Sequence, residues 1–211
     1  MKVLLINGSP NEFGCTNQAL EIIKEELKNN GVDSEIFYLG KQAINGCVAC
    51  GYCRKSKTYR CSISDIVTEA KEKAADCQGI IIGSPVHYAS PAGNLLSFLD
   101  RFFYSGDIKA KFGASIVSAR RAGTTASIDV LNKYFSINNM HIVGSSYWNM
   151  VHGSNKDEVL MDLEGVQTMR NLAKNMAYLI KAVDIAKANG LEDIEYEKGN
   201  RTNFIKKYWQ K

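Results

Sequence analysis

The stretch GIIIG at residues 79–83 constrains the fold more than any other, because three isoleucines run unbroken between two glycines. A short branched run without polar alternation suits a strand buried on both faces, as in a parallel sheet packed between helices. Residues 3–6, VLLI, repeat the pattern and end in Asn7-Gly8-Ser9-Pro10. Residues 35–39, 114–118 and 141–144 give three further strands. Between the strands, apolar residues recur at helical spacing. Leu20, Ile23 and Leu27 mark a helix that Thr16 can cap and that ends near Asn30-Gly31. Ser64 or Asp65 starts a second helix carrying Val67 and Ala70, and Leu95, Phe98, Leu99 and Phe102 share one side of a third over 94–103. Further helices cover 124–135 and 165–187. Five strands separated by helices predict an α/β fold: a three-layer sandwich whose five-stranded parallel sheet carries helices on both faces.

At 211 residues and 45% hydrophobic, the chain is sized for one generous domain. No repeat or linker divides it, so residues 1–190 are expected to fold as one unit, with 191–211 as a C-terminal tail. The net charge of +4 is mild, and the basic residues Lys198, Arg201, Lys206, Lys207 and Lys211 read as a solvated end, which argues against a nucleic-acid partner. No apolar stretch is long enough to span a bilayer, and the apolar run at the N-terminus is too short for a signal-peptide core. A cytoplasmic location without membrane association is therefore expected. Thiols stay reduced there, so a tight group of cysteines points to metal or redox chemistry over a disulfide framework.

In such sheets ligands bind at the carboxyl ends of the strands. Three strand-end loops have suitable chemistry. GSPNEFGCTN, residues 8–17, leads small and hydroxyl residues into a helix N-terminus, where backbone N–H groups and Ser9, Thr16 and Asn17 can hold a monophosphate. It has neither the lysine of a triphosphate loop nor the GxGxxG of a dinucleotide site. GSPVHYASP, residues 83–91, offers backbone donors at residues 86–88 and two outward-leaning rings, His87 and Tyr88, to a flat aromatic ligand. SARRAGTT, residues 118–125, places Arg120 and Arg121 at a strand end, with Gly123 for a tight turn and Thr124 as a cap. Each loop alone would also serve as an ordinary turn.

Taken as a set, LINGSP with G-x-T-N, GSPVHYASPAGNLLSFLDRF, SARRAGTT and YWNMVHG resemble the NADPH-dependent FMN reductase group of flavodoxin-like proteins over most of residues 1–190. The resemblance implies the sheet order 2-1-3-4-5 and a noncovalent FMN. Its phosphate would meet Ser9, Asn11, Thr16 and Asn17, and its ring Pro85, Val86, His87 and Tyr88, with Ser118, Arg120 and Gly123 closing the other side. It implies hydride transfer from NAD(P)H to flavin and onward transfer to a small-molecule acceptor such as a quinone or flavin. The flavin carries that chemistry, so no catalytic side chain is required. A homodimer or homotetramer is implied too, with Trp148, Asn149 and His152 reaching the flavin or a partner subunit. The alternative is that Trp148 is a buried anchor and His152 a satisfied loop histidine.

Cys47, Cys50, Cys53 and Cys61 read C-x2-C-x2-C-x7-C. Two-residue spacings can bring three thiolates to one small object, and a fourth completes the ligands of an iron–sulfur cube. This motif resembles that of iron–sulfur flavoproteins, which implies a [4Fe-4S] cluster beside FMN and one-electron exchange with a protein such as ferredoxin. Arg54, Lys55, Lys57 and Arg60 would offset its charge. A cluster-free lid or dimer surface and a dithiol switch are alternatives, zinc is disfavoured by the spacing, and a non-enzymatic flavodoxin-like carrier is a third functional reading. Cys15 and Cys77 read as packing residues.

Overall fold

The computed structural model describes residues 1–56, 58, 60–106, 108, 110–197, 199–200 and 202. Lys57 of the cysteine loop and the tail residues Lys198, Arg201, Lys206, Lys207 and Lys211 lie outside the described residues. The first half runs β1 (Lys2–Asn7), α1 (Cys15–Asn29), β2 (Asp33–Tyr38), α2 (Tyr52–Lys55), α3 (Ile66–Ala74), β3 (Gly79–His87), β4 (Ser90–Pro91) and α4 (Gly93–Tyr104). The second runs β5 (Phe112–Ala119), α5 (Thr124–Ile137), β6 (His141–Ile142), β7 (Met150–His152), α6 (Lys156–Met161) and α7 (Leu163–Ala188). The main path of the sheet is β2-β1-β3-β5-β6, parallel throughout. Counting those five strands in chain order, this is the 2-1-3-4-5 arrangement expected.

The unbroken apolar runs have a direct cause. Along β1 and β3, Leu4, Ile6, Ile80 and Ile82 enter a core with α3, α4 and α5, while Val3, Leu5 and Ile81 enter a second core with α1 and α7. With helices on both faces neither side of these strands meets water, so period-two alternation disappears. Ile80, Ile81 and Ile82 are completely buried, each contributing about 1.5–3 kcal/mol of hydrophobic stabilisation.

Three local expectations need correction. Thr16 does not cap α1: the cap position is Gly14, without a side-chain hydrogen bond, and the Thr16 hydroxyl is turned inward to Ser118. Thr124 is likewise the first residue of α5, after Gly123. The fifth strand is broken. β6 pairs beside Phe112 and Gly113, and β7 resumes beside residues 117–119. Between them Ser145 Oγ donates to Thr168 O at 2.6 Å and Asn175 Nδ2 to Gly144 O at 2.9 Å, drawing the chain off the sheet and onto α7. Asp65 does cap α3, its carboxylate accepting from Val67 N at 3.1 Å.

Candidate functional site

At the carboxyl ends of β1, β3 and β5 lies a cleft of about 620 Å³, within the range of small-molecule sites. Of the residues expected there, Ser9, Asn11, Thr16, Pro85, Val86, His87, Ser118 and Arg120 line it. The first loop is folded on its own side chains: Ser9 N donates to Asn7 Oδ1, and Asn11 N to Ser9 Oγ, each at 3.1 Å. Asn17 accepts from Asn7 Nδ2 at 3.3 Å and is not part of the cleft wall. The Thr16 and Ser118 hydroxyls are hydrogen-bonded at 2.8 Å, both buried, and pin the first turn of α1 to the end of β5. Because no side chain caps α1, its first-turn N–H groups and the positive end of its dipole are left for an anion in the cleft.

The second loop is more ordered than its sequence indicated. β3 continues to His87 and folds back through Tyr88 and Ala89 into β4, pairing Val86 with Pro91 and His87 with Ser90. Tyr88 and Ala89 have φ of 50° and 58°, the sign pattern of a two-residue I′ hairpin. Neither is glycine, so the turn carries about 1–2 kcal/mol of backbone strain per residue. It holds the Tyr88 ring wholly in solvent. Gly123, at φ 95°, packs beneath: a Cβ there would stand 2.7 Å from Ala89 Cα and 2.9 Å from Val86 Cγ1. Tyr88 and Gly123 thus form an outer brace and do not line the cleft.

One wall was not anticipated beyond Gly153. Ser154, Asn155, Lys156 and Asp157 also face the cleft, held by Cys15 Sγ donating to Gly153 O at 3.4 Å. The legible signal was Asn155 followed by Glu158. Asn155 Oδ1 accepts from the N–H groups of Asp157 and Glu158, while Glu158 takes Ser154 N, close to a capping box. Trp148 is not a buried anchor: it is 56% exposed and packs edge-on against Tyr147 with centroids 4.7 Å apart. Asn149 is buried, with Oδ1 lacking a hydrogen-bond partner. His152 donates its backbone N–H to Asp162 Oδ2 at 2.7 Å, and its Nδ1 lies 3.7 Å from the same oxygen.

The cysteine loop lies apart from the cleft. Cys47, Cys50, Cys53 and Cys61 all line one small pocket of about 20 Å³ against α4, beside Arg101 and Tyr104. The Cys50 thiol is held below its ordinary range, first by the Tyr52 backbone N–H and then by the Ser62 hydroxyl 3.6 Å away. Cys61 Sγ accepts from Arg101 Nε at 3.4 Å. The donor set matches a cubane in kind and number. Among the described residues, however, no three His, Cys, Asp or Glu side chains already stand grouped to hold a metal ion. Arg54 lies over the Tyr104 ring at 4.4 Å, and Arg60 pairs with Glu72 at 3.3 Å. Burial raises the Cys15 and Cys77 thiols above their ordinary value.

Residues 1–155 match the family model of the NADPH-dependent FMN reductases. An iron–sulfur flavoprotein of Methanocaldococcus jannaschii is 29% identical over 193 residues, covering 87% of this chain and 99% of the relative. An iron–sulfur flavoprotein of Methanosarcina thermophila is 26% identical, over 87% of this chain and 97% of its own. Among solved structures, a flavodoxin from the domain Archaea superposes with a TM-score of 0.58 at 14% identity, covering 86% of this chain and 99% of that one. Among the described residues no helix is long and apolar enough to cross a membrane. With a family match over most of its length and a flavodoxin-like sheet, the chain belongs to the NADPH-dependent FMN reductase family.

Proposed function

We propose that this chain is an FMN-dependent oxidoreductase of the iron–sulfur flavoprotein kind, with Cys47, Cys50, Cys53 and Cys61 as the ligands of a [4Fe-4S] cluster. The observation that carries the reading is that all four cysteines of the C-x2-C-x2-C-x7-C motif line one pocket. FMN, when bound, supplies the step between electron pairs and single electrons, and a cubane supplies single-electron storage. The chain's own residues do the rest. The uncapped start of α1, with Ser9 and Asn11, would receive the phosphate. Pro85, Val86 and His87 would wall the ring, with Ser118 and Arg120 opposite. Ferredoxin-like one-electron proteins are the class of partner for the cysteine loop.

The open cleft favours a second reading, direct reduction by NAD(P)H without a cluster and delivery to a small acceptor such as a quinone. His87 and Tyr88 stand in solvent at the cleft edge, where a nicotinamide could approach. The exposed Phe13 on the cleft wall, with Tyr147 and Trp148 also exposed, further supports a homodimer or homotetramer that covers such apolar surface. Protein purified without oxygen separates the readings. Flavin absorption with iron approaching about four per chain, lost in Cys53→Ser, is the expected result. Flavin without iron, bleached rapidly by NADPH, overturns the cluster and leaves the simple reductase. No flavin uptake after FMN addition overturns both.

A further inference from the structure

Arg101 is the most deeply buried charged side chain described, with 1% exposure, in the third turn of α4. Its guanidinium has five N–H donors, and all five are used. Nη1 donates to Asp65 Oδ2 at 2.6 Å and to Asn45 O at 3.2 Å. Nη2 donates to Asp65 Oδ1 at 2.8 Å and to Ile63 O at 2.9 Å. Nε donates to Cys61 Sγ at 3.4 Å. Asn45 lies just before Cys47, and Ile63 just after Cys61, so one side chain ties both stems of the segment containing all four cysteines.

Stability alone does not account for this arrangement. Burying a charge is costly, and replacing a buried ion pair by apolar groups is often neutral or stabilising. Geometry accounts for it better. A planar fork can satisfy two backbone carbonyls, a bidentate carboxylate and a sulfur at once, and an ammonium with three donors cannot. Closing a loop of this length by chain diffusion has an entropic cost, which a fixed guanidinium on a rigid helix meets in advance. An N–H donor on a ligating sulfur also favours the more negative, reduced state of a cluster.

We propose that Arg101 is a positioning residue for the cysteine pocket: it closes the stems of the loop before any cluster binds, and its N–H on Cys61 raises the potential of the cluster held there. The second half rests on the cluster reading above. The test uses the full chain, comparing wild type, Arg101→Lys and Asp65→Asn. Limited trypsin digestion of iron-free protein reads loop closure, since Arg54, Lys55 and Arg60 lie in the loop. FMN content per chain reports the distant cleft, and anaerobic reconstitution gives iron retention and the midpoint potential.

Arg101→Lys is expected to be cut in the loop at least about tenfold faster, the loss of roughly one buried charged hydrogen bond's worth of closure, with FMN content unchanged. Its reconstituted cluster is expected to be lost faster and to have a more negative potential. Asp65→Asn, which keeps an acceptor but loses the charge, should fall between the two. Equal digestion rates in all three proteins overturn the closing role, whether or not wild type holds iron. Faster digestion accompanied by loss of FMN also overturns it, because the effect is then global unfolding. An unchanged potential in Arg101→Lys overturns the tuning role. Faster loop cutting in a protein whose wild type takes up no iron upholds loop closure while removing the cluster reading and, with it, the tuning role.

Discussion

Gly123→Ala is expected to destabilise the protein sharply and to loosen the strand-end cleft. Two independent costs add at this position. The backbone sits at φ 95°, and forcing an L-residue into the left-handed region costs about 1–2 kcal/mol. The new Cβ would stand 2.7 Å from Ala89 Cα, a backbone atom that cannot rotate away, and overpacking of this kind costs about 1–3 kcal/mol. The sum is about 2–5 kcal/mol, which for a domain of this size lowers Tm by roughly 4–20 °C. Gly93→Ala is the matched control: a Cβ there meets nothing within 4 Å at the first position of α4, so it should be neutral or slightly stabilising. Urea and thermal unfolding measure both variants, and FMN titration follows the cleft. A Gly123→Ala protein within about 0.5 kcal/mol of wild type, the ordinary range of surface changes, would show that the third loop does not bear on the hairpin as the distances indicate.

Thr16→Val or Ser118→Ala each strands one buried hydroxyl of the 2.8 Å pair, at about 1–3 kcal/mol. The double variant should cost clearly less than the sum in a urea-unfolding cycle, and strict additivity would mean that the two hydroxyls do not interact. Glu35, on β2, is held below its ordinary carboxylate value of 4.5 first by Lys73 and then by Lys2. A lowered folded-state value means that this contribution is present above the ordinary value and is lost as pH falls through the folded one. Wild type should therefore lose stability below about pH 4.5 more steeply than Glu35→Gln, as read from urea midpoints across that window. Parallel curves would remove Glu35 from the account.

The sheet was legible because its strands face helices on both sides, which wrote unbroken runs at residues 3–6 and 79–83 into the sequence. The hairpin after β3 was not legible. Its two turn residues are Tyr88 and Ala89, and neither is the glycine, asparagine or aspartate that marks an I′ turn. The break in the fifth strand escaped for a tertiary reason, since Ser145 and Asn175 act across to and from α7. Arg101 was hidden most completely. In the helix pattern it follows Asp100 and looks like a solvated position, and only the fold reveals the carbonyls of Asn45 and Ile63 around it. Cleft residues were easier to name because strand-end loops converge by topology, while Thr16 lines the cleft with its hydroxyl bonded to Ser118 and Asn17 lies outside the wall, bonded to Asn7.

One helix therefore sets the positions of both candidate sites. At its start, Ala92 N donates to Ser84 Oγ at 3.0 Å, anchoring α4 to the strand that feeds the strand-end cleft. At the second residue of the helix, Asn94 accepts from Ile44 N at 2.9 Å and donates to Gln42 O at 3.0 Å, laying the chain before the cysteines along the helix. Arg101 then clasps that same segment seven residues further on, about 10 Å along the axis at 1.5 Å per residue. The two pockets share no lining residue, and sites without shared partners behave additively in energy once they lie more than about 7–10 Å apart. Substitutions around the cysteine pocket should then leave FMN affinity alone, and cleft substitutions should leave loop closure alone. The two sites are nevertheless fixed in relative position, because the rod between them is anchored at both ends and its inner side, Leu95, Phe98, Leu99 and Phe102, is completely buried. For the proposed flavin and cluster, the arrangement would combine independent binding with a constant spacing, the combination that electron transfer between them would require of the scaffold.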